Sequence, residues 1–283
     1  MKMPGQFLQK VRRYLPYLAA AAAAAALVAA VVMALVRIER SGTAEESIDT
    51  SAYGGDLTNS FSKTDFTQDE NGILHYTGAD PYISGTYGID VSEHQNSIDW
   101  VKVAAAGVKF AMIRVGRRGT TSGGLAVDKY YEENVRGAVQ NGIEAGVYFY
   151  SQAVSVAEAE EEAAFVLEQI AGKKITGPVA VDMEPAESDS GRTKNVTTDV
   201  FTQCALRFCT IIREAGYTPM IYGYNRTFSE MLDMSRTGNY ATWIADYSNP
   251  VSYPYVFGMW QYSDKGSVDG IGGRVDLDIR IMP

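Results

Sequence analysis

Two acidic residues, Asp182 and Glu184, stand two positions apart at the end of a short apolar run, residues 178–181. The run lies between Gly177 and Pro185, and it predicts a strand buried on both faces, as in a parallel sheet covered by helices. Residues i and i+2 of a strand face the same way, so we expect both carboxylates to project together beyond the strand. Because two neighbouring carboxylates cannot both ionise freely, the pKa of one should be raised, which makes that group a candidate general acid.

An alternation of strands and helices begins at about residue 87 and indicates how this pair is positioned. Short apolar runs predict the strands, and longer segments that end in Gly or follow a capping residue predict the helices. Five strand–helix units in sequence imply a parallel sheet. The strands are predicted at residues 88–91, 110–115, 145–150, 179–182 and 219–222, and the helices at residues 100–107, 128–141, 155–171, 198–215 and 227–233.

The last 45 residues contain three further predicted strands, at residues 241–245, 256–262 and 274–279, with no helical stretch between them. Eight strands predict an α/β fold whose sheet closes into an irregular TIM-like barrel, with helices after only the first five. Residues 263–273 are too few for a parallel crossover, which needs roughly a dozen residues or more. The last strand should therefore run antiparallel, which brings its first residues to the mouth where the other strands end.

In such a barrel the chemistry takes place at the carboxyl ends of the parallel strands. Four acids are predicted to meet there: Asp90 after the first strand, Asp182 and Glu184 after the fourth, and Asp276 at the start of the eighth. Glycoside hydrolysis needs one acid to protonate the leaving oxygen and a second carboxylate as base, nucleophile or charge stabiliser. Aromatic rings that suit the C–H faces of a sugar stand at neighbouring strand ends, namely Tyr148, Tyr150, Tyr222, Trp243 and Trp260.

The net charge of −9 argues against a nucleic-acid partner, which would require clustered Lys and Arg. Cys204 and Cys209 lie five positions apart in a predicted helix, so they face different directions, and we expect small buried hydrophobes rather than a disulfide. The chain has only His75 and His94, so we expect no metal and no cofactor. A metal-dependent polysaccharide hydrolase remains an alternative because of the four acids, and insensitivity to chelators would exclude it.

Residues 14–36 carry no charged side chain, and about 23 residues in a helix span roughly 34 Å, enough to cross a bilayer core. We predict a transmembrane helix or uncleaved signal anchor, with residues 1–13 as a basic cytoplasmic segment and the rest of the chain outside. A cleaved signal peptide and secretion are the alternative, because residues 19–26 are all Ala. Residues 37–80, rich in small and polar side chains, predict a flexible linker before a domain at residues 81–283.

Several motifs occur in order at separate predicted strands. They are residues 88–95, 98–100, 110–114, 146–151, 182–184, 259–262 and 275–278. Together they resemble the glycoside hydrolase family 25 lysozymes over roughly residues 86–283. The resemblance implies an irregular barrel of five strand–helix units plus three strands. It also implies a bacterial N-acetylmuramidase, which cleaves the β-1,4 bond between N-acetylmuramic acid and N-acetylglucosamine in peptidoglycan.

Position by position, the resemblance implies that Glu184 is the general acid, that Asp182 assists the reacting centre, and that Asp90 and Asp276 are supporting acids. Asp246 departs from the family pattern. We expect it to be a solvated loop residue, the alternative being an extra carboxylate at the mouth. His94 lies in a matched motif, and an orienting or buried role is expected for it rather than a catalytic one.

The sequence leaves the nucleophile open. Carboxyl groups about 5–5.5 Å apart favour direct attack, and about 6.5–9.5 Å leaves room for an inverting water. In a third route Asp182 orients the substrate's own 2-acetamido group. A non-catalytic wall-binding or scaffolding domain is the second functional class, although a binder has no need to keep Asp182 beside Glu184. We expect peptidoglycan glycan strands and the membrane as partners, and a monomeric catalytic domain.

Overall fold

The structure is a computed structural model that describes residues 58–186, 190–238 and 240–282. The predicted cytoplasmic segment, the predicted membrane helix and residues 37–57 of the predicted linker lie outside the described residues. In the part of the chain that the structure describes, no helix is both long and apolar enough to cross a membrane.

A closed barrel of eight strands forms the centre of the domain. The strands are β1 (Phe66–Gln68), β2 (Leu74–Tyr76), β3 (Ser84–Val91), β4 (Phe110–Arg118), β5 (Leu125–Val127), β6 (Glu144–Ser151), β7 (Val179–Met183), β8 (Pro219–Tyr224), β9 (Ala241–Ala245), β10 (Met259–Gly266) and β11 (Val275–Met282). Around the barrel the order is β3-β11-β10-β9-β8-β7-β6-β4, and pairing between β3 and β4 closes it. Strand β11 runs antiparallel to both of its neighbours, which confirms the predicted direction of the last strand.

Helices follow the first five barrel strands, as the sequence predicts. The α-helices are α1 (Trp100–Ala105), α2 (Tyr131–Gln140), α3 (Val156–Ile170), α4 (Thr198–Glu214) and α5 (Met234–Thr237), and a π-helical turn (Thr227–Met231) precedes α5. At the start of several helices a side-chain oxygen accepts a hydrogen bond from a backbone N–H group, because the first N–H groups of a helix have no partner within it. Ser155 accepts from the amide of Glu158 at the start of α3, and Thr197 accepts from Val200 at the start of α4.

The barrel strands separate two apolar cores. Residues that point inward, such as Ala180, Met220 and Trp243, form a small core inside the barrel. Residues that point outward, such as Val179 and Val181, belong to a larger core that also contains the helices. Because successive residues of a strand alternate between these two sides, each strand contributes one set to the inside of the barrel and its mouth.

Residues 58–80 pack against the barrel, in contrast to the flexible linker that the sequence predicts as far as residue 80. Strands β1 and β2 form an antiparallel hairpin, and the ring of Phe66 lies 5.3 Å from that of Trp260. The amide of Leu74 donates to the hydroxyl of Tyr262 at 3.1 Å. The hairpin contains too few residues for a strand period to stand out in the sequence, and its order comes from contacts with distant parts of the chain.

Candidate active site

A cavity of about 490 Å³ opens where the parallel strands end. All four predicted acids line it: Asp90, Asp182, Glu184 and Asp276. The barrel therefore brings together residues that are up to 186 positions apart in the chain, from Asp90 to Asp276. The other lining residues are Glu93, His94, Arg114, Arg117, Tyr148, Tyr150, Tyr222, Tyr224, Trp243 and Gln261.

Asp182 and Glu184 differ in their surroundings although both line the cavity. Asp182 is buried, between Tyr150 of β6 and Tyr222 of β8 in the strand register, whereas Glu184 is half-buried. Burial raises the pKa of Asp182, and the nearby carboxylate of Glu184 raises it further, against a smaller lowering by Arg114. Among the described residues, Asp182 Oδ1 is a buried carboxylate oxygen without a hydrogen-bond partner.

Gln152 holds the loop that carries Glu184. Its fully buried side chain donates to the backbone carbonyl of Glu184 at 2.7 Å and to that of Ser151 at 2.9 Å. The hydroxyl of Thr193 donates to Gln152 Oε1 at 3.0 Å and accepts from the amide of Ala186 at 2.9 Å. A single amide therefore ties both ends of this loop to the end of β6.

Asp90 and Asp276 are direct partners in the register of β3 and β11, so their side chains lie on the same face of the sheet. Asp278, two residues further along β11, is fully buried inside the barrel, and the indole N–H of Trp243 donates to its Oδ1 at 2.8 Å. Burial raises the pKa of Asp90, and the carboxylates of Asp276 and Asp278 raise it further, while a 2.7 Å hydrogen bond from Gln261 opposes this.

Asp278 was not among the residues predicted from the sequence. Its spacing of two from Asp276 on a strand was a signal for it, because i and i+2 share a face. Gln261 was also missed, although its neighbour Trp260 was predicted. Gln261 links several elements of the mouth, because it donates to Asp90 and its Oε1 accepts from the hydroxyls of Tyr222 at 3.1 Å and Tyr247 at 2.9 Å.

Two tyrosines lie among the acids. Burial raises the pKa of Tyr148 far above its usual range, and Asp90, Asp182 and Asp276 raise it further, against a lowering by Arg114. A phenol with a raised pKa stays neutral and keeps its proton, and the proton of Tyr222 is already donated to Gln261. Tyr222 has the same shift in pKa, caused by burial and by the carboxylates of Glu184, Asp182 and Asp90.

The predicted aromatic residues fall into two groups. The cavity is lined by four of them: Tyr148, Tyr150, Tyr222 and Trp243. Trp243 is only 1% exposed, and its ring centre lies 4.5 Å from that of Tyr222, so it forms the bottom of the cavity and offers no exposed ring face to a sugar.

Trp260 was wrongly placed at the mouth by the sequence prediction. It lies on the outer face of β10, where its indole N–H donates to the backbone carbonyl of Asp246. Its ring packs against Phe66 and Phe257. The physical reason is the alternation of the strand: since Gln261 points into the barrel, Trp260 must point out.

Asp246 is neither a solvated loop residue nor an acid of the mouth. It is 7% exposed, and its carboxylate accepts from the amides of Ser248 at 3.0 Å, Ser252 at 2.6 Å and Tyr253 at 3.1 Å. Burial alone would raise the pKa of Asp246, but hydrogen bonds from Ser248 and Ser252 outweigh it and lower the pKa. Asp246 therefore organises the loop that carries Tyr247 to the rim.

Arg114 is the buried cation of the site. Its Nε donates to Asp128 at 2.8 Å, and its Nη2 contacts Asp128 at 2.7 Å and Glu93 at 3.1 Å. His94 is exposed on the cavity wall, so the buried role expected for it is wrong. Within residues 58–186, 190–238 and 240–282, no group of three or more His, Cys, Asp or Glu side chains is arranged to hold a metal ion.

An α/β barrel whose mouth combines several carboxyl groups with aromatic side chains is typical of enzymes that cleave carbohydrates. The chain belongs to the glycosyl hydrolases family 25, whose family model matches residues 89–271.

Curated relatives and solved structures agree with this membership. The chain is 29% identical over 194 residues to the autolytic lysozyme of Clostridium acetobutylicum, which covers 68% of this chain and 54% of that protein. It is also 29% identical over 201 residues to the uncharacterized protein YegX of Escherichia coli strain K12, covering 68% of each. The chain thus spans about half the length of the first of these relatives.

Two solved structures share the fold. The modular autolysin LytC from Streptococcus pneumoniae, in complex with a synthetic peptidoglycan ligand, matches with a TM-score of 0.63 and 25% identity, covering 76% of this chain and 51% of that one. The bacterial lysozyme from Streptomyces coelicolor matches with a TM-score of 0.53 and 26% identity, covering 69% of this chain and 91% of that one.

Proposed function

We propose that the protein is an N-acetylmuramidase that hydrolyses the β-1,4 bond between N-acetylmuramic acid and N-acetylglucosamine in peptidoglycan. The observation that carries this proposal is the pair Asp182 and Glu184 on one cavity wall, with a buried Asp182 oxygen that has no partner among the described residues. The family, the autolytic lysozyme among the relatives and the peptidoglycan ligand of LytC support it.

Glu184 is assigned the role of general acid. Its proton passes to the glycosidic oxygen as the bond between that oxygen and C1 of N-acetylmuramic acid breaks, and the half-buried position lets it reach a bound strand. The hydrogen bond from Gln152 to the Glu184 backbone limits the movement of this loop. Because the backbone that carries this carboxyl group is held, less freedom has to be lost before the proton is transferred.

Burial raises the pKa of Asp182, the property expected of a general acid, but positive charge developing at C1 favours the ionised form of Asp182. Asp182 is therefore assigned the task of stabilising that charge. The Asp182 carboxylate lines the cavity and can accept from the N–H of the substrate's 2-acetamido group, whose carbonyl oxygen then bonds to C1. Water later attacks C1 and opens this ring, and one of its protons returns to Glu184. As a base, Asp182 would instead activate a water on the opposite face of the sugar. Retention of the anomeric configuration belongs to the first route and inversion to the second.

The rim offers two rings for the glycan strand. Tyr224 and Tyr247 are 41% and 45% exposed and their rings lie 6.5 Å apart, whereas Tyr148 is half-buried and Tyr222 is buried.

We further propose that residues 14–36 tether the domain to the cell membrane on its outer side, where it reaches the wall, because this stretch carries no charged side chain and basic residues precede it.

The test is release of reducing ends from purified peptidoglycan by the full chain, with the products identified by mass spectrometry. Glu184→Gln should abolish the release while leaving urea unfolding unchanged, and the exposed Glu230→Gln is the matched control. Proton NMR of the first product distinguishes retention from inversion. If the unaltered chain sediments with peptidoglycan but releases no reducing ends, the protein is a wall-binding domain and the muramidase proposal is wrong.

A further inference from the structure

A bulge in β4 turns Arg117 into the mouth of the barrel. In the register with β6, Arg114 pairs with Tyr148 and Arg117 pairs with Tyr150, while Val115 is the extra residue. Residues three apart on a regular strand face opposite sides, whereas the extra residue gives Arg114 and Arg117 the same side. Both line the cavity.

The neighbouring arginine takes the opposite direction. Arg118 is buried on the outer face, where its Nε donates to Glu162 of α3 at 2.8 Å. Without the bulge, Arg117 would lie on the helix-covered side. Bulges beside active sites commonly re-aim a side chain, and here the re-aimed side chain is a cation.

Arg117 has a guanidinium that is open to a ligand. Its side chain is 50% exposed, and its ion pair with Glu93 Oε1 is long, at 3.7 Å. Arg114 differs, because its side chain is 10% exposed and it holds Asp128 at 2.7 Å and Glu93 at 3.1 Å. The charge of Arg114 is neutralised inside the protein, whereas that of Arg117 faces the cavity.

The charge of the cavity makes this arrangement selective. Five acids line it, namely Asp90, Glu93, Asp182, Glu184 and Asp276, with Arg114 and Arg117 as the only Lys or Arg residues among the described residues of its wall. Those of the acids that are ionised repel an anionic group on a ligand, whereas Arg117 attracts it. A guanidinium binds a carboxylate through two parallel N–H bonds, which fixes its position as well as its charge.

We propose that Arg117 binds a carboxylate of the glycan strand and so sets which peptidoglycan the site accepts. The proposal rests on the proposed function for the identity of the polymer. Two sources supply this chemistry: the lactyl carboxylate of an N-acetylmuramic acid that carries no peptide, and the carboxylates of an attached stem peptide.

The experiment measures binding rather than turnover. The full chain with Glu184→Gln is the parent, so that the strand is not cut during titration. Its affinity is measured for three glycans: strands with their peptides, strands stripped by an amidase, and stripped strands whose lactyl carboxylates are capped as methylamides. Arg117→Gln and Arg117→Lys are compared with the parent, and Arg236→Gln, which removes a surface ion pair with Asp199, is the matched control.

Arg117→Gln should weaken binding of a carboxylate-bearing glycan about tenfold and leave the capped strands unaffected, with Arg117→Lys in between. A loss on stripped strands identifies the lactyl group, and a loss confined to intact strands identifies the stem peptide. Equal losses on capped and uncapped strands, no loss on any glycan, or no binding by the parent would each overturn the proposal. Carboxylate-dependent binding without turnover by the unaltered chain would overturn the muramidase alone.

Discussion

Replacing Asp276 with Asn should make the protein more stable at neutral pH while it impairs turnover. Burial and the nearby carboxylate of Asp264 raise the pKa of Asp276 from 3.8 to about 6. The folded protein therefore holds this proton more tightly than the unfolded chain does. Between the unfolded and folded pKa values, unfolding releases the proton, so the free energy of unfolding falls as the pH rises.

The size of the effect follows from the shift in pKa. A shift of about 2 pH units corresponds to an upper limit of about 3 kcal/mol at pH 7. Because the Asp276 side chain is only half-buried, solvent screening reduces this, and we expect Asp276→Asn to gain about 1–2 kcal/mol at pH 7. At pH 4 the wild-type carboxyl is largely protonated in the folded state, so the gain there should be small.

Urea unfolding at pH 4, 5, 6 and 7 measures this difference. Asp246→Asn is the matched control with the opposite sign, because hydrogen bonds lower the pKa of Asp246. Ionised Asp246 stabilises the folded protein at pH values above the unfolded pKa, and this stabilisation is lost as the pH falls through the folded pKa. Asp246→Asn should therefore lower the free energy of unfolding at pH 7 by about 1–3 kcal/mol. The reasoning is refuted if Asp276→Asn unfolds at the same urea concentration as the wild type at pH 7 and follows the same pH dependence.

Two further substitutions test how the site and the domain boundary are held. Gln152→Ala leaves the buried partners of its amide unpaired, so it should lower the free energy of unfolding in urea by about 3 kcal/mol and also lower kcat. The exposed Gln68→Ala, which loses a similar hydrogen bond to Gly72, should cost little. Equal costs for the two variants would contradict the role of Gln152 in holding the Glu184 backbone. Phe66→Ala should lower the free energy of unfolding by about 3 kcal/mol, and the exposed Thr67→Ala should barely change it. A loss below about 1 kcal/mol for Phe66→Ala would mean that residues 58–80 are a linker that the barrel does not need.

The errors of the sequence prediction have a common cause. Trp260 and Gln261 are adjacent polar or aromatic residues on one strand, and only the register with β9 and β11 decides which of them faces the barrel interior. Asp246 reads as an isolated loop acid, yet residues six and seven positions later return to hydrogen-bond it. In both cases the deciding contact lies outside the local pattern.

The sequence alone determined the features that depend on strand period and connection length. Asp182 and Glu184, which follows β7 by one residue, both line the cavity, as the two-residue repeat of a strand predicts. The last strand is antiparallel, as its short connection predicts. Eight strand-like segments, of which five are followed by helices, were enough to predict the barrel and the acids at its mouth.

Only the tertiary structure decided which other side chains join those acids. The bulge at Val115 reverses the direction of Arg117, and barrel closure places Asp278 beneath Asp90 and against Trp243. A bulge and a strand register are set by pairing with distant strands, and burial is set by what those strands cover. A local sequence pattern carries neither kind of information, because both depend on residues far away along the chain.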